Sequence, residues 1–538
     1  ARWKAQPQRG QPRQHQAERA HPDRVLGRVD VAHLPGEPVG DDQPLAVAGD
    51  REVQVVGQGQ VDMRIELDAR FLRGGHDGPR QLDVLGCDAG ASESHVNTTE
   101  HMRVFLETYG CQMNVADSEL ITGILSRAGF QMVSGPESAD VILLNTCAVR
   151  ENAEERVFGR LGELTQYKNS RPHVLMGVVG CMAEHLREEI LGRAKAVGLV
   201  VGPDSYRRLP HLIESALAGP VVDITLDKSE QYLGLEPDRG GGVTAWIPIM
   251  RGCNRFCTFC VVPYTRGREK NLPPEEIVRQ VEHAVNLGHS EVCLLGQTVN
   301  SYRHGDTDFA DLVRMVGAVD GIRRLRFMSP HPVGFTASLV DAIAEVPAAC
   351  PHVHLPLQSG SDAVLTRMRR DYSAQEFRAV LSDLRHRIPG ISVSTDIVVG
   401  FCGETEDDHR RTVEFVEESR FDFAFTFMYS PRAGTFAARF LKDDVPAEVK
   451  RRRISEVIAL QERISADIHA KLVGSVREVL FEGAAKKGDA QSFGRTADFK
   501  GVVVEGSFAP NSFRSVRITG ANAHTLTGEV LPDTGARP

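Results

Sequence analysis

From Met102 onward, short apolar runs alternate with amphipathic stretches of helical period, and this alternation restricts the fold more than any other feature of the chain. The run 103–109 precedes a helix-like stretch at 116–128, the run 140–147 an acidic helix at 151–167, and the run 173–181 a helix at 184–194. Such a pattern predicts a parallel sheet covered by helices, whose ligands collect at the carboxyl ends of the strands. Cys111, Cys147 and Cys181 each stand just past one of those ends. A cysteine that only fills core space has no reason to recur in the loop after three successive strands. Three thiols on one sheet edge therefore predict a shared ligand set for a metal cluster.

Beyond a linker at 219–242 that ends in three glycines, six more strands are expected, at 245–250, 291–295, 325–328, 352–357, 392–399 and 423–428. Helical stretches at 274–287, 309–319, 336–345, 373–387 and 406–419 separate them. Six βα repeats fall short of the eight that close a full barrel, so a partial barrel with a lateral mouth is expected. Residues 450–472 read as a closing helix whose Lys450–Arg453 run is a solvated face or an RNA contact. From 473 to 530 the segments become short, β-rich and broken by Gly and Asn, which fits a small antiparallel barrel. The fold class is α/β: an N-terminal doubly wound parallel sheet at 102–218, a partial (βα)6 barrel at 243–470, and a C-terminal antiparallel β-barrel at 471–535.

Residues 1–101 differ from the rest. They are rich in Gln, Arg, Gly, Pro and His, with Trp3 and Phe71 as their aromatics, and cannot bury enough apolar surface to offset chain entropy. A disordered extension, or translated sequence ahead of the true start, is expected there. The net charge of −9 argues against a uniformly basic nucleic-acid coat, so any RNA contact is local. The tail from Leu472 has eight Lys or Arg against seven Asp or Glu, so charge alone does not mark it as RNA-binding. Ten cysteines in 538 residues, with no secretory signal or membrane-length apolar run, fit a reduced, cytoplasmic protein without a membrane partner.

Within the barrel half, Cys253, Cys257 and Cys260 form a compact C-x-x-x-C-x-x-C triplet. A structural zinc site wants four N or S ligands in paired knuckles, and no second Cys or His pair follows at that distance. Most four-iron clusters are held by four cysteines, so a triplet leaves one iron for another ligand. The spacing resembles that of radical S-adenosylmethionine (radical SAM) enzymes, whose open iron binds SAM. The strings ETYGCQMNVADSE (107–119), LLNTCAVRENAEERVFGRL (143–161), GCMAE (180–184), MRGCNRFCTFCVVPYTRG (250–267), LLGQTVNSY (294–302), HLPLQSGSD (354–362) and STDIVVGFCGET (394–405) are similar to those of the methylthiotransferase family, with a last part resembling a TRAM domain.

The resemblance implies two [4Fe-4S] clusters, an auxiliary one on Cys111, Cys147 and Cys181 and a radical SAM one on Cys253, Cys257 and Cys260. Carbon 2 of adenine carries an unactivated C–H bond that no side chain can attack, so radical chemistry is left to the cofactor. The first strand, TYGCQMN, resembles the branch that methylthiolates dimethylallyladenosine just 3′ of the tRNA anticodon. The sister branches act on threonylcarbamoyladenosine or on a ribosomal-protein aspartate, and a non-catalytic iron–sulfur RNA-binding protein is the alternative from another class. Gln297, Asn300, Gln358, Ser359 and Ser361 follow barrel strands and either bind SAM's polar groups or cap loops; Asp396 reads as structural. Arg266, Arg268, Arg369 and Arg370 are expected RNA contacts near the mouth. The implied partners are the tRNA anticodon loop, a flavodoxin-type electron donor and a sulfur donor. Cys402, Ala433 and Phe436 depart from the family's prolines, without touching a proposed ligand. Cys402 is either redox-sensitive or inert, and Cys87, Cys293 and Cys350 have no companion spacing.

Overall fold

In the computed structural model of the protein, residues 102–148, 151–240, 242–486 and 488–532 are described, all of them within Ser92–Pro538. The expected extension at 1–101, with Cys87, lies outside them. β1 (Arg103–Tyr109), α1 (Gln112–Arg127), β2 (Gln131–Met132) and β3 (Val141–Thr146) open the first layer. α2 (Glu151–Ser170), β4 (Leu175–Gly180), α3 (Cys181–Leu186), α4 (Glu189–Arg193), β5 (Val197–Val201), α5 (Leu209–Ala218) and β6 (Val221–Asp223) complete it. The six strands run parallel in the order β2-β1-β3-β4-β5-β6.

β3 and β4 are buried along their whole length because helices cover both faces of the sheet. Leu120, Ile124 and Ile213 pack on one side, and Val157, Leu161 and Met182 on the other. α1 begins four residues before its expected start because extended Cys111 takes the N-cap position and Asn114 closes a capping box with it. β6 pairs with β5 inside the stretch expected to be linker, through Leu199 opposite Val221. A three-residue strand is too short to stand out by periodicity.

The second layer is the partial barrel. Its elements are β7 (Thr244–Pro248), β8 (Met250–Arg251), α6 (Val262–Thr265), β9 (Lys270–Asn271), α7 (Pro274–Asn286), β10 (Glu291–Leu295), the hairpin β11 (Arg303–His304) and β12 (Thr307–Asp308), and α8 (Phe309–Gly317). β13 (Arg324–Phe327), α9 (Ala337–Glu345), β14 (His352–His354), α10 (Asp362–Met368), α11 (Ala374–Arg387), β15 (Ser392–Val399), α12 (Glu406–Ser419), β16 (Phe423–Met428), α13 (Phe436–Phe440) and α14 (Ala447–Ala470) follow. The six expected barrel strands form two parallel triplets, β13-β10-β7 and β14-β15-β16, with Leu325 and Ala349 bridging where the triplets meet. The Lys450–Arg453 run is a solvated face only at Arg451 and Arg452, which are exposed. Lys450 and Arg453 lie one helical turn apart on the inner side of α14, where Lys450 bonds the Tyr429 carbonyl at 3.0 Å and Arg453 pairs with Glu404 at 2.6 Å.

β17 (Val476–Ala485), β18 (Gly488–Thr496), β19 (Gly501–Glu505), β20 (Phe513–Ala521) and β21 (Leu526–Val530) close the third layer as a barrel around Val479, Phe481, Val502, Val504, Val516 and Ile518. Its β18–β19 turn enters the amino-terminal end of the partial barrel. Phe499 stacks on His352 at 4.6 Å, Arg326 donates to the carbonyls of Thr496 and Ala497, and the Lys500 ammonium pairs with Asp422.

Candidate functional site

β1, β3 and β4 are neighbours in the sheet, about 4.8 Å apart per step, and Cys111, Cys147 and Cys181 leave their carboxyl ends in that order. Gly180 turns the chain into α3 at φ 95°, a conformation that disfavours other residues, and a Cβ there would fall 2.5 Å from Asn145 Oδ1. Asn145 donates to the Asn114 carbonyl at 2.8 Å and to Ser118 at 2.9 Å, and Asn114 donates back to Asn145 Oδ1 and the Thr146 carbonyl. This buried amide network ties the Cys111 and Cys147 loops together. Cys147 lies close enough to bond the Cys111 thiol, which it brings down to about 6, while burial pushes Cys181 up.

The barrel's cysteines sit on the loop that connects β8 to β9, ahead of the short helix α6 within it. Gly252 at φ 78° admits the close approach of the Arg268 carbonyl, 2.1 Å from where a Cβ would stand, and Phe256 holds the left-handed region at φ 50°. Cys253 N–H bonds the Gly267 carbonyl at 3.1 Å, and Thr258 N–H the Met368 carbonyl at 3.0 Å. Thr298 Oγ1 lies 3.2 Å from the Cys253 sulfur, and Arg370 Nη1 donates to the Cys257 sulfur at 3.3 Å. Burial pushes Cys260 up to about 12. Among the described residues no three His, Cys, Asp or Glu side chains converge tightly enough to grip a single ion. A four-iron cube spreads its thiolates over separate irons, so neither set needs to meet at one point.

The two sites face each other. Val261, next to Cys260, packs on Cys181 and Ala148. Arg266, at the far end of the same loop, donates Nε–H to the Cys181 sulfur at 3.1 Å and Nη2 to Asp117 Oδ2 at 2.6 Å. Arg251 takes the other oxygen of Asp117 at 2.9 Å. The Arg432 guanidinium reaches from the loop after β16 to the Ala148 carbonyl and to Glu154, holding the chain just past Cys147. Buried Nη1 atoms of Arg251 and Arg266 have no protein acceptor, which suits an anionic group against this thiol edge.

The expected SAM-binding residues separate into two kinds. Asn300 brackets the His331 backbone, accepting from its N–H at 2.7 Å and donating to its carbonyl at 2.8 Å. Ser359 lies 3.2 Å from Thr412 Oγ1, and Ser361 donates to Asp408 at 2.5 Å, so both hydroxyls tie their loop to α12. Gln358 bridges Asp396 and Val398 through its backbone at φ 67°. Gln297 keeps a buried Oε1 without a partner. Beside it in the sheet order, past β13, His331 accepts the Val333 N–H at Nδ1 and leaves Nε2 buried without a partner. Burial, with Arg370 and Arg255 nearby, pushes His331 down to about 2, so the ring is neutral and its proton sits on Nε2.

Of the expected RNA contacts, Arg268 and Arg369 are exposed and lie over Phe256 and Phe436 at 4.1 and 3.9 Å. Arg266 is buried and Arg370 turns inward, so neither presents itself to RNA. Cys402 is buried among Val364, Met368, Phe401 and Tyr429, as an inert thiol would be. Asn114, Asp117, Asn145, Arg251 and Arg266 all fall within the strings that carry the resemblance, but nothing in their spacing announces which sulfur or carboxylate each one meets.

Three family models match the chain: "Uncharacterized protein family UPF0004" at 103–202, "Radical SAM superfamily" at 247–416 and "TRAM domain" at 470–531. The tRNA-2-methylthio-N(6)-dimethylallyladenosine synthase of Chloroherpeton thalassium is 44% identical over 82% of this chain and 98% of its own length. The protein of the same name from Bacteroides fragilis is 42% identical over the same shares. A solved radical S-adenosylmethionine methyltransferase from Kitasatospora setae covers 60% of this chain and 72% of its own at 15% identity, with a TM-score of 0.47.

Proposed function

This chain belongs to the tRNA-2-methylthio-N(6)-dimethylallyladenosine synthase family of radical SAM proteins, and from that premise we propose how its residues divide the reaction. It is a methylthiotransferase that converts N(6)-dimethylallyladenosine in tRNA, next to the anticodon, to the 2-methylthio derivative. We assign 102–218 to the sulfur-handling domain, 219–242 to its connection, 243–470 to the radical SAM core and 471–535 to the TRAM domain.

The observation that carries this assignment is the meeting of two three-cysteine sets across one face, joined by Arg266. We place a [4Fe-4S] cluster on Cys253, Cys257 and Cys260 and an auxiliary one on Cys111, Cys147 and Cys181. When bound, the first supplies radical generation from SAM and the second a site for the transferred sulfur. Thr298 and Arg370 orient the barrel sulfurs. For SAM, neutral His331 offers a donor at Nε2 and Gln297 an acceptor at Oε1, both buried and otherwise unpartnered. Asn300 holds the His331 loop, while Ser359 and Ser361 fix the loop after Leu357 to α12.

RNA loops are read through splayed bases and backbone contacts, and aromatic faces backed by Arg suit stacked bases. Tyr264 and Phe440, both exposed beside Phe256 and Phe436, supply such faces with Arg268 and Arg369. Among the described residues no helix is long and apolar enough to cross a membrane; we place the enzyme in the cytoplasm because its substrate is tRNA. A flavodoxin-type electron donor and a sulfur donor act from outside the chain. Mass spectrometry of nucleosides from a strain lacking this protein tests the assignment. N(6)-dimethylallyladenosine accumulates if it holds, whereas accumulation of unmodified threonylcarbamoyladenosine redirects it to the sister branch.

A further inference from the structure

Arg266 belongs to the barrel's cluster loop, yet its Nε–H ends on a sulfur of the other domain, 85 residues away in sequence. An ordinary interdomain ion pair does not account for it. Asp117, the carboxylate it shares, is already met by Arg251 on its other oxygen. Asp204, the next carboxylate, is taken by Lys270 at 2.8 Å. Arg251 and Arg266 thus share the single carboxylate of Asp117, and beside Cys181 the buried Nη1 of Arg266 is left without a protein acceptor. An uncompensated buried charge is costly, and the group placed to balance it is the thiolate set of Cys111, Cys147 and Cys181. Hydrogen bonds to cluster sulfurs and nearby positive charge both favour the reduced, more negative state of an iron–sulfur centre.

We propose that Arg266 is a positioning residue for the auxiliary cluster, through which the radical SAM loop both holds the Cys181 sulfur and raises that cluster's reduction potential, with Asp117 limiting the rise. The inference rests on the auxiliary-site reading given above. It makes the two cluster sites one electrostatic assembly, because the loop that carries Cys253, Cys257 and Cys260 also carries the cation that tunes the other site. Loss of the Arg266 guanidinium lowers the potential. Loss of the Asp117 charge raises it. A purely structural role gives no such opposition of sign.

The test is a redox titration followed by electron paramagnetic resonance on the anaerobically reconstituted full chain carrying Cys253→Ala, Cys257→Ala and Cys260→Ala, so that only the auxiliary cluster gives a signal. Arg266→Gln, Arg266→Lys and Asp117→Asn are compared in that background, with iron counted for each. The expected result is about four irons, a downward shift for Arg266→Gln, a smaller one for Arg266→Lys, which keeps the charge, and an upward shift for Asp117→Asn. Should Arg266→Gln fail to hold iron, the other two variants decide by the same signs. Unmoved potentials with iron retained, or shifts of one sign in all variants, overturn the inference alone. A background protein that binds no iron overturns it together with the auxiliary-site reading.

Discussion

Glu119 is a carboxyl on α1 with one buried oxygen lacking a hydrogen bond, and Arg239 stands no nearer than 4.0 Å. Burial pushes it up to about 7 from an ordinary 4.5, against the pull of Arg239. Because the folded value is the higher one, folding favours the protonated form. The contribution is complete below about pH 4.5 and is lost as pH rises to about 7. The urea midpoint of the wild-type chain is therefore expected to fall across that window more steeply than that of Glu119→Gln; parallel curves contradict it. Side chains like this one mark what the sequence leaves illegible. The six cysteines proposed as cluster ligands stand out by their spacing and by their places after strands. Arg266 and Asp117 meet 149 positions apart, through domain packing that has no local signature. Arg266 and Arg370 even read as RNA contacts, since a cationic side chain in a loop looks the same whether it turns outward or toward a sulfur.

At the scale of elements, the β18–β19 turn holds the TRAM barrel to the amino-terminal end of the partial barrel, and Lys500 is its charged anchor. Lys500→Ala leaves the buried Asp422 carboxylate with only the Val393 N–H that the structure gives it at 2.7 Å. Removing one partner of a buried pair costs roughly 3 kcal/mol, or about a hundredfold in the local opening equilibrium. Limited proteolysis between α14 and β17 is expected to accelerate accordingly, with the iron content unchanged. Adding Asp422→Asn should recover most of the protection, and equal cleavage of all three proteins contradicts the anchoring role. Elements were legible where β-branched and aromatic residues cluster between helical stretches: β10, β15 and β16 match their expected residues, although β16 leaves Phe425 and Met428 exposed. β18, with the sequence GDAQSFGRT, is polar and Gly-rich because the small barrel leaves one of its faces to solvent, and α10 is only seven residues long. Neither carries a period long enough to read.

For the whole molecule, the first family model begins at residue 103 and the relatives' matches cover 79–82% of the chain. Residues 1–101 are rich in Gln, Arg, Gly, Pro and His. A chain starting at Met102 is expected to bind both clusters and keep full tRNA activity, as iron analysis and nucleoside formation would show; loss of either contradicts the extension reading. The two facing cysteine sets are assigned separate tasks within one enzyme. One assay tests that assignment most directly: 5′-deoxyadenosine and 2-methylthio nucleoside are measured together on dimethylallylated tRNA, using wild type and the Cys111→Ala, Cys147→Ala, Cys181→Ala variant. The variant is expected still to form 5′-deoxyadenosine and to make no 2-methylthio product, whereas methylthio product from it would contradict the division of labour.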